Sequence, residues 1–188
     1  MIFFTSDLHF CHDKDFVWKD RGFDSVEEMN AAIVENWNKT VYPDDDVFIL
    51  GDIVLNDTYE GVRLLKQLNG WKHIIRGNHD TDSKISLIQE ECGINDISFA
   101  MEIKYKKALF WLSHYPTITA NYDDELPWAK HLVNLFGHTH QKEKFYNNNP
   151  YMYNVGMDAH NCTPVSIDEI IEDIKKKKEE LANASRCE

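Results

Sequence analysis

The chain has 188 residues, 43% of them hydrophobic and 28% charged, which fits one ordered globular domain over residues 1–188 with a sizeable core and excludes a disordered chain. Its formal charge of −12 disfavours broad electrostatic binding to nucleic acid, which depends on Lys and Arg neutralising phosphates. The cysteines Cys11, Cys92, Cys162 and Cys187 form no CxxC pair, and the N-terminal MIFF shows neither a cleavable signal nor a membrane span, so a cytoplasmic protein without a disulfide framework, a thiolate zinc site or a membrane partner is expected.

The first apolar run, IFF, is a strand candidate that leads into Thr5, Ser6, Asp7 and His9. Ser25 with Glu28 forms a capping box, and Met29, Ile33 and Trp37 recur at helical spacing, which predicts a helix from Val26 to Asn38 ended by the Pro43 turn. A second strand, VFIL, leads into Gly51 and Asp52. A helix over Tyr59 to Leu68, closed by Asn69 and Gly70, turns Val62, Leu65 and Leu68 inward.

The next strand, HII, leads into Arg76, Gly77, Asn78, His79 and Asp80, and helical patterning over Ser83 to Glu91 stops at Gly93. SFAMEIKY and ALFWLSH, separated by Lys106 and Lys107, read as a β-hairpin delivering Ser113 and His114, although Lys-Lys is not a preferred hairpin turn. VNLF leads into Gly137, His138 and His140, and NNNP (147–150) is a loop between strands. A second capping box, Ser166 with Glu169, opens a C-terminal helix docked by Ile170, Ile171 and Ile174; the KKKKEE run that follows reads as its solvated end rather than a nucleic-acid patch.

Five apolar runs thus end on metal-ligand residue types. Ligands of an open α/β sheet bind beyond the carboxyl ends of its strands, so the five are expected to converge on one metal site. Imidazole mixed with carboxylate and amide oxygens, without thiolate, suits Mn, Fe, Ni or Zn better than a calcium cage. The set exceeds what one tetrahedral ion needs, which points to two ions sharing a bridge, with Asp52 its natural candidate. Asp7 and His9 stand at i and i+2, so on an extended segment they face the same side.

The ordered series DLH at Asp7 and His9, GD at Gly51 and Asp52, GNHD at Gly77 to Asp80, SHYP at His114 and GHTH at Gly137 to His140 resembles the calcineurin-like metallophosphoesterases over nearly the whole chain. SDLHF with His12 just beyond, and NVG at Asn154 to Gly156, resemble its small, uncapped bacterial or phage branch. The resemblance implies an α/β fold, a four-layer sandwich of two mixed β-sheets flanked by helices with a dimetal site at the strand ends. It also implies dimetal-dependent hydrolysis of phosphoester bonds, phosphodiesters first, in which a hydroxide held between two divalent ions attacks phosphorus. Manganese is the first choice of metal, with Fe, Zn, Ni or Mg as alternatives. A phosphomonoesterase, a nuclease or a non-catalytic metal-binding scaffold are the alternative functions.

By the same resemblance one ion takes Asp7, His9, Asp52 and His140, the other takes Asp52, Asn78, His114 and His138, and a turn at GHTH, eased by Gly137, separates the last two histidines. His79 is the expected general acid, with Asp80 orienting its ring. His12 is a candidate for substrate phosphate, an accessory ligand position or an exposed loop; Arg76 is a candidate for phosphate or for a carboxylate partner. Asn154 and Asp158 are expected to hold the strand behind the site, and His73, His131 and His160 to be structural or surface residues. Tyr115, Trp18 and Trp128 are either pocket walls or core. The expected partner is a small phosphorylated substrate.

Overall fold

In the computed structural model the described residues are 1–119 and 131–184, so Trp128 lies outside them. Along the chain they form β1 (Ile2–Thr5), α1 (Asp15–Trp18), α2 (Val26–Thr40), β2 (Asp46–Ile49), α3 (Thr58–Leu65), β3 (Trp71–Ile75), α4 (Asp82–Cys92), β4 (Ile97–Ser98), β5 (Ala100–Tyr105), β6 (Ala108–Ser113), β7 (Leu132–Phe136), β8 (Met152–Asn154), β9 (Val165–Ser166) and α5 (Ile167–Ala184). One sheet has the order β4-β3-β2-β1-β9, parallel except for β9, and the other the order β5-β6-β7-β8, parallel except for the β5–β6 hairpin.

Period-two alternation along the strands decides the layers. Phe3, Val47, Ile49 and Ile74 face the helices and pack with Met29, Ile33 and Trp37 of α2, Val62 and Leu65 of α3 and Ile85 and Ile88 of α4. Phe4, Phe48, Leu50 and Ile75 face the other sheet and pack with Phe110, Leu112, Leu135 and Tyr153, where Ile170 and Ile174 of α5 close the same core. The five strands expected from apolar runs are β1, β2, β3, β6 and β7. All five belong to the parallel portions of the two sheets, so within each sheet their carboxyl ends emerge together.

Local chemistry sets the helix ends. Ser25 accepts from the Glu28 amide, but the Glu28 carboxylate takes the Asp24 N–H instead of that of Ser25, so the first box forms by half; Ser166 Oγ accepts from the Glu169 amide and the Glu169 carboxylate takes the Ser166 N–H in return, which completes the second. Gly93 stops α4 with φ +68°. The helix expected over Tyr59 to Leu68 instead spans Thr58–Leu65, capped by Asp57, and tightens into i→i+3 bonds at Gln67 and Leu68. SFAMEIKY is not one strand: Ser98 pairs in the first sheet, Ala100 in the second, and Phe99 is the crossing residue.

At the other end of the strands His73 lies between Asp46 (2.9 Å) and Asp96 (2.5 Å) and stacks on Phe48. Burial alone would lower its pKa, but the two carboxylates outweigh burial and raise it. A raised folded-state pKa contributes stability that is complete below the ordinary histidine value of about 6.5 and disappears as pH rises through the folded value. The gap in melting temperature between the native chain and His73→Gln is therefore expected to narrow as pH rises from 6 to 9. A gap that widens over that range would contradict the assignment.

Candidate metal centre

The loops beyond the strands are stitched together before any ligand is considered. Asp7 N–H donates to Gly51 O (2.9 Å) and His9 N–H to Asp52 O (3.1 Å), tying the loop after β1 to the loop after β2. Ser6 bridges to Gly156 and Met157 N–H donates to Ser6 O (3.1 Å), joining the two sheets at this end. Gly137 packs so tightly on this seam that a Cβ there would lie 1.9 Å from Ser6 Oγ and 2.3 Å from Asp7 Oδ2. No side chain fits at that position.

Five of the candidate ligands have left-handed backbones: Asp7 (φ 58°), His9 (49°), Asp52 (54°), His138 (68°) and His140 (51°). Each such residue costs on the order of 1–3 kcal/mol and persists only where its surroundings over-determine it. Asp7 and His9 therefore do not share the face of an extended segment, as their spacing suggests; the left-handed turns at each aim them together. The turn expected at GHTH is likewise made by the two histidines themselves, while Gly137 supplies the close approach.

Ligand-type atoms gather in two groups, Asp7, His9 and His140 in one and Asp52, His114 and His138 in the other. Around the first, His9 Nε2 lies 3.7 Å and His140 Nε2 3.9 Å from Asp7 Oδ1. Around the second, His114 Nε2 lies 3.5 Å from Asp52 Oδ2, 3.0 Å from Asn78 Oδ1 and 3.2 Å from His138 Nδ1. Asp52 Oδ2 is also 3.8 Å from His9 Nε2, so one oxygen faces both groups. Its partner Oδ1 is occupied by the His79 amide (2.8 Å).

Asp7 Oδ1 and His9 Nε2 are buried without a hydrogen-bond partner, an arrangement that costs free energy unless something binds there. Their separation, the mixed imidazole, carboxylate and amide donors and the shared Asp52 oxygen fit two divalent cations. The remaining atoms of these side chains are already held. Asp7 Oδ2 accepts from the His138 amide (2.8 Å), and His114 Nδ1 lies 2.8 Å from Leu50 O, so it carries the proton and leaves Nε2 free for a metal. Burial would raise the Asp52 pKa, but His114 and the His79 amide outweigh it and hold the carboxyl at about 2, keeping it ionised.

His79 sits over the centre with its side chain about half exposed, Nε2 4.0 Å from Asp52 Oδ2 and its ring edge-on to His9 at 5.9 Å. Asp80 does not orient that ring. Its carboxylate is buried and fully engaged by the amides of Asp52 (2.9 Å), Ile53 (3.1 Å) and Gly77 (2.8 Å), so it clamps the Asp52 loop to the GNHD loop. Arg76 is directed to the backbone as well: it donates to Asp80 O (2.7 Å), pairs with Asp82 (2.7 Å) and lies over Phe99, in keeping with the carboxylate-partner alternative.

His12 is not an exposed loop residue. It is buried, stacks on His9 and shares an Nδ1–Nδ1 hydrogen bond with it (2.9 Å); burial and the neighbouring His9 push its pKa down to about 4. With His9 Nε2 kept for a metal, the His9 ring proton sits on Nδ1 and donates to His12 Nδ1, so His12 orients the imidazole that faces the metal position. Asn154 bonds Gln141 O, Glu143 O and the Gly156 amide, holding the end of the GHTH loop, as expected of a residue behind the site. His160 is tied to Asn154 O, and Trp18 packs against the helix-side core.

Sequence reasoning missed Arg21. Its guanidinium, 1% exposed, donates to Asp7 O (2.8 Å), Leu8 O (3.2 Å) and both oxygens of Asp158 (3.0 and 2.9 Å), while Asp158 Oδ2 holds His140 Nδ1 at 3.0 Å. Burial would raise the Asp158 pKa, but His140 and Arg21 keep it well below the usual carboxylate range. No local motif marks Arg21, because its partners come from distant segments. Loss of such outer carboxylates costs roughly 10- to 100-fold in metal affinity. Asp158→Asn is therefore expected to weaken the Asp7–His9–His140 position by about that factor, measured by Mn²⁺ competition with a chelator. Unchanged affinity would refute the coupling.

The model of the calcineurin-like phosphoesterase superfamily domain matches residues 1–175. Protein MJ1445 of Methanocaldococcus jannaschii is 34% identical over 185 residues, covering 94% of this chain and 93% of its own. The gene 66 protein of Mycobacterium phage D29 is 28% identical, over 93% of this chain and 98% of its own. Among solved structures, a protein of unknown function from Aquifex aeolicus superposes with a TM-score of 0.69 at 27% identity, over 92% of this chain and 98% of that one. With the family model spanning both groups of candidate ligands, the chain belongs to the calcineurin-like phosphoesterase superfamily.

Proposed function

We propose that the protein is a dimetal-dependent phosphoesterase that acts first on phosphodiesters. The observation that carries this reading is the single Asp52 oxygen facing both ligand groups while the other oxygen is fixed by a backbone amide. When bound, two divalent ions supply a nucleophile from water near neutral pH and neutralise charge on the phosphoryl oxygens. Asp7, His9 and His140 would hold one ion and Asn78, His114 and His138 the other, with Asp52 shared between them.

His79 is the chain's proton donor to the leaving oxygen. Its half-exposed ring stands beside Asp52 and His9, so an ester oxygen next to the bridged position comes within its reach. The ring has no side-chain partner on Asp80, and its position is set through the main chain by the His79 amide on Asp52 Oδ1. A cytoplasmic setting and manganese as the working metal complete the reading. Among the described residues no helix is long and apolar enough to cross a membrane.

The alternative of a non-catalytic scaffold is disfavoured because every expected ligand type is in place, with outer partners for His9, His114 and His140. Purified protein is expected to bind about two Mn²⁺ ions per chain and to hydrolyse bis(p-nitrophenyl) phosphate, with activity removed by EDTA and restored by Mn²⁺. Equal, negligible rates with metal and with EDTA would sink the enzymatic reading.

A further inference from the structure

The end of the molecule that holds the ligand groups exposes aromatic rings that neither core uses. Tyr115 directly follows His114 and is 50% exposed, leaning edge-on against the rings of His114 (5.1 Å) and His138 (4.7 Å). Phe99, 74% exposed, crosses between the sheets, and the register that pairs Ala100 with Ser113 places it at the level of His114. On the side of the other ion position, exposed Phe16 sets its ring edge-on to His12, which stacks on His9.

Three basic side chains near the site are already engaged. Arg21 is buried on Asp158, Arg76 is held by Asp80 O and Asp82, and Lys84 donates to Val54 O (2.7 Å) and His79 O (2.9 Å). Among the described residues these three are held by the ligand loops' own carbonyls and carboxylates, and Lys142, two residues after His140, lies beside Arg21 and Asp158 on the side of the other ion position. On the His114 and His138 side, recognition beyond the phosphoryl group therefore falls to apolar and aromatic surface. Tyr115 touches the rings of two candidate ligands, and its backing by those imidazoles fixes its plane.

We propose that Tyr115 is a specificity-determining residue of this site, stacking on a planar ring of the substrate, so that aryl or nucleoside phosphoesters are preferred over alkyl or sugar phosphates. The inference rests on the phosphoesterase reading for its substrate class, but its test does not need turnover. An aromatic face is tolerant of ring identity, and one stacking contact corresponds to roughly a tenfold gain in affinity.

Calorimetric titration of the Mn²⁺-loaded protein with phenylphosphonate and with methylphosphonate, neither of which it can hydrolyse as an ester, tests the assignment. Phenylphosphonate is expected to bind about tenfold tighter in the native chain and in Tyr115→Phe, with that advantage lost in Tyr115→Ala. Methylphosphonate affinity and metal content should be the same in all three. A native advantage below about twofold, an advantage that survives in Tyr115→Ala, or an equal loss for both probes would overturn the proposal. Ring-selective binding without hydrolysis of any ester would support the Tyr115 subsite and overturn only the enzymatic reading, whereas binding of neither probe would overturn both.

Discussion

Asp52→Asn is expected to release manganese from both positions and to lower turnover by at least about a thousandfold, more than the roughly 10- to 100-fold typical of an outer partner. The substitution keeps the side chain's size, and an amide oxygen can still accept the His79 N–H that Asp52 Oδ1 accepts at 2.8 Å. What it removes is the anionic Oδ2 that stands 3.5 Å from His114 Nε2 and 3.8 Å from His9 Nε2. Without that charge the two ion positions lose their common ligand, and two cations would repel each other without a shared anion between them. Elemental analysis should find less than one ion per chain. Thermal melts should show Mn²⁺ stabilising the native protein and leaving the variant unmoved, because only a ligand that binds the folded state shifts the transition. Undiminished metal content in Asp52→Asn would contradict the bridge.

The parts of this centre legible in the sequence are those in which a local pattern meets a general rule. Each main apolar run is bounded by polar residues, so β1, β2, β3, β6 and β7 and the ligand residues after them could be read from residue order alone. The capping boxes at Ser25 and Ser166 depend on contacts three residues apart, and the serine-to-amide bond of each appears in the structure, with the reciprocal carboxylate bond made at Ser166. The less legible features are non-local. Arg21 meets Asp158 across 137 positions, so nothing around either residue announces the pair. Asp80 reads as a partner for its neighbour His79, yet the fold brings three closer amides to its carboxylate. Its desolvated oxygens take backbone donors because those amides would otherwise be buried without acceptors.

The backbone itself was the other hidden quantity. Residue spacing suggested that Asp7 and His9 share a strand face, but β1 ends at Thr5 and both ligands adopt positive φ. Asp and His are both enriched at positive φ relative to most residues, but such backbones are still only a few per cent of non-glycine positions, so no propensity argument selects them here. The strain is imposed by tertiary bonds: Asp7 and His9 donate their amides to Gly51 O and Asp52 O, which pins the loop after β1 to the one after β2. Phe99 illustrates the same limit, since a continuous apolar and alternating run gives no sign that the chain changes sheets within it.

His79→Ala should separate proton transfer from metal binding. The His79 backbone amide, not its ring, bonds Asp52, so alanine preserves that anchor, and the ring Nε2 is 4.0 Å from the carboxylate oxygen rather than among the ligand group. Both ions are therefore expected to remain. Turnover should fall by about 10²- to 10⁴-fold, the usual contribution of a positioned general acid. That loss should depend on the leaving group. A p-nitrophenolate departs with little need of a proton, whereas a phenolate or alkoxide requires one, so the deficit should be small for p-nitrophenyl esters and grow as the leaving group becomes more basic. A deficit of the same size for p-nitrophenyl and phenyl esters, with metal content intact, would remove His79 from the role of proton donor. The same substitution accompanied by loss of manganese would instead make its ring part of the metal-holding set.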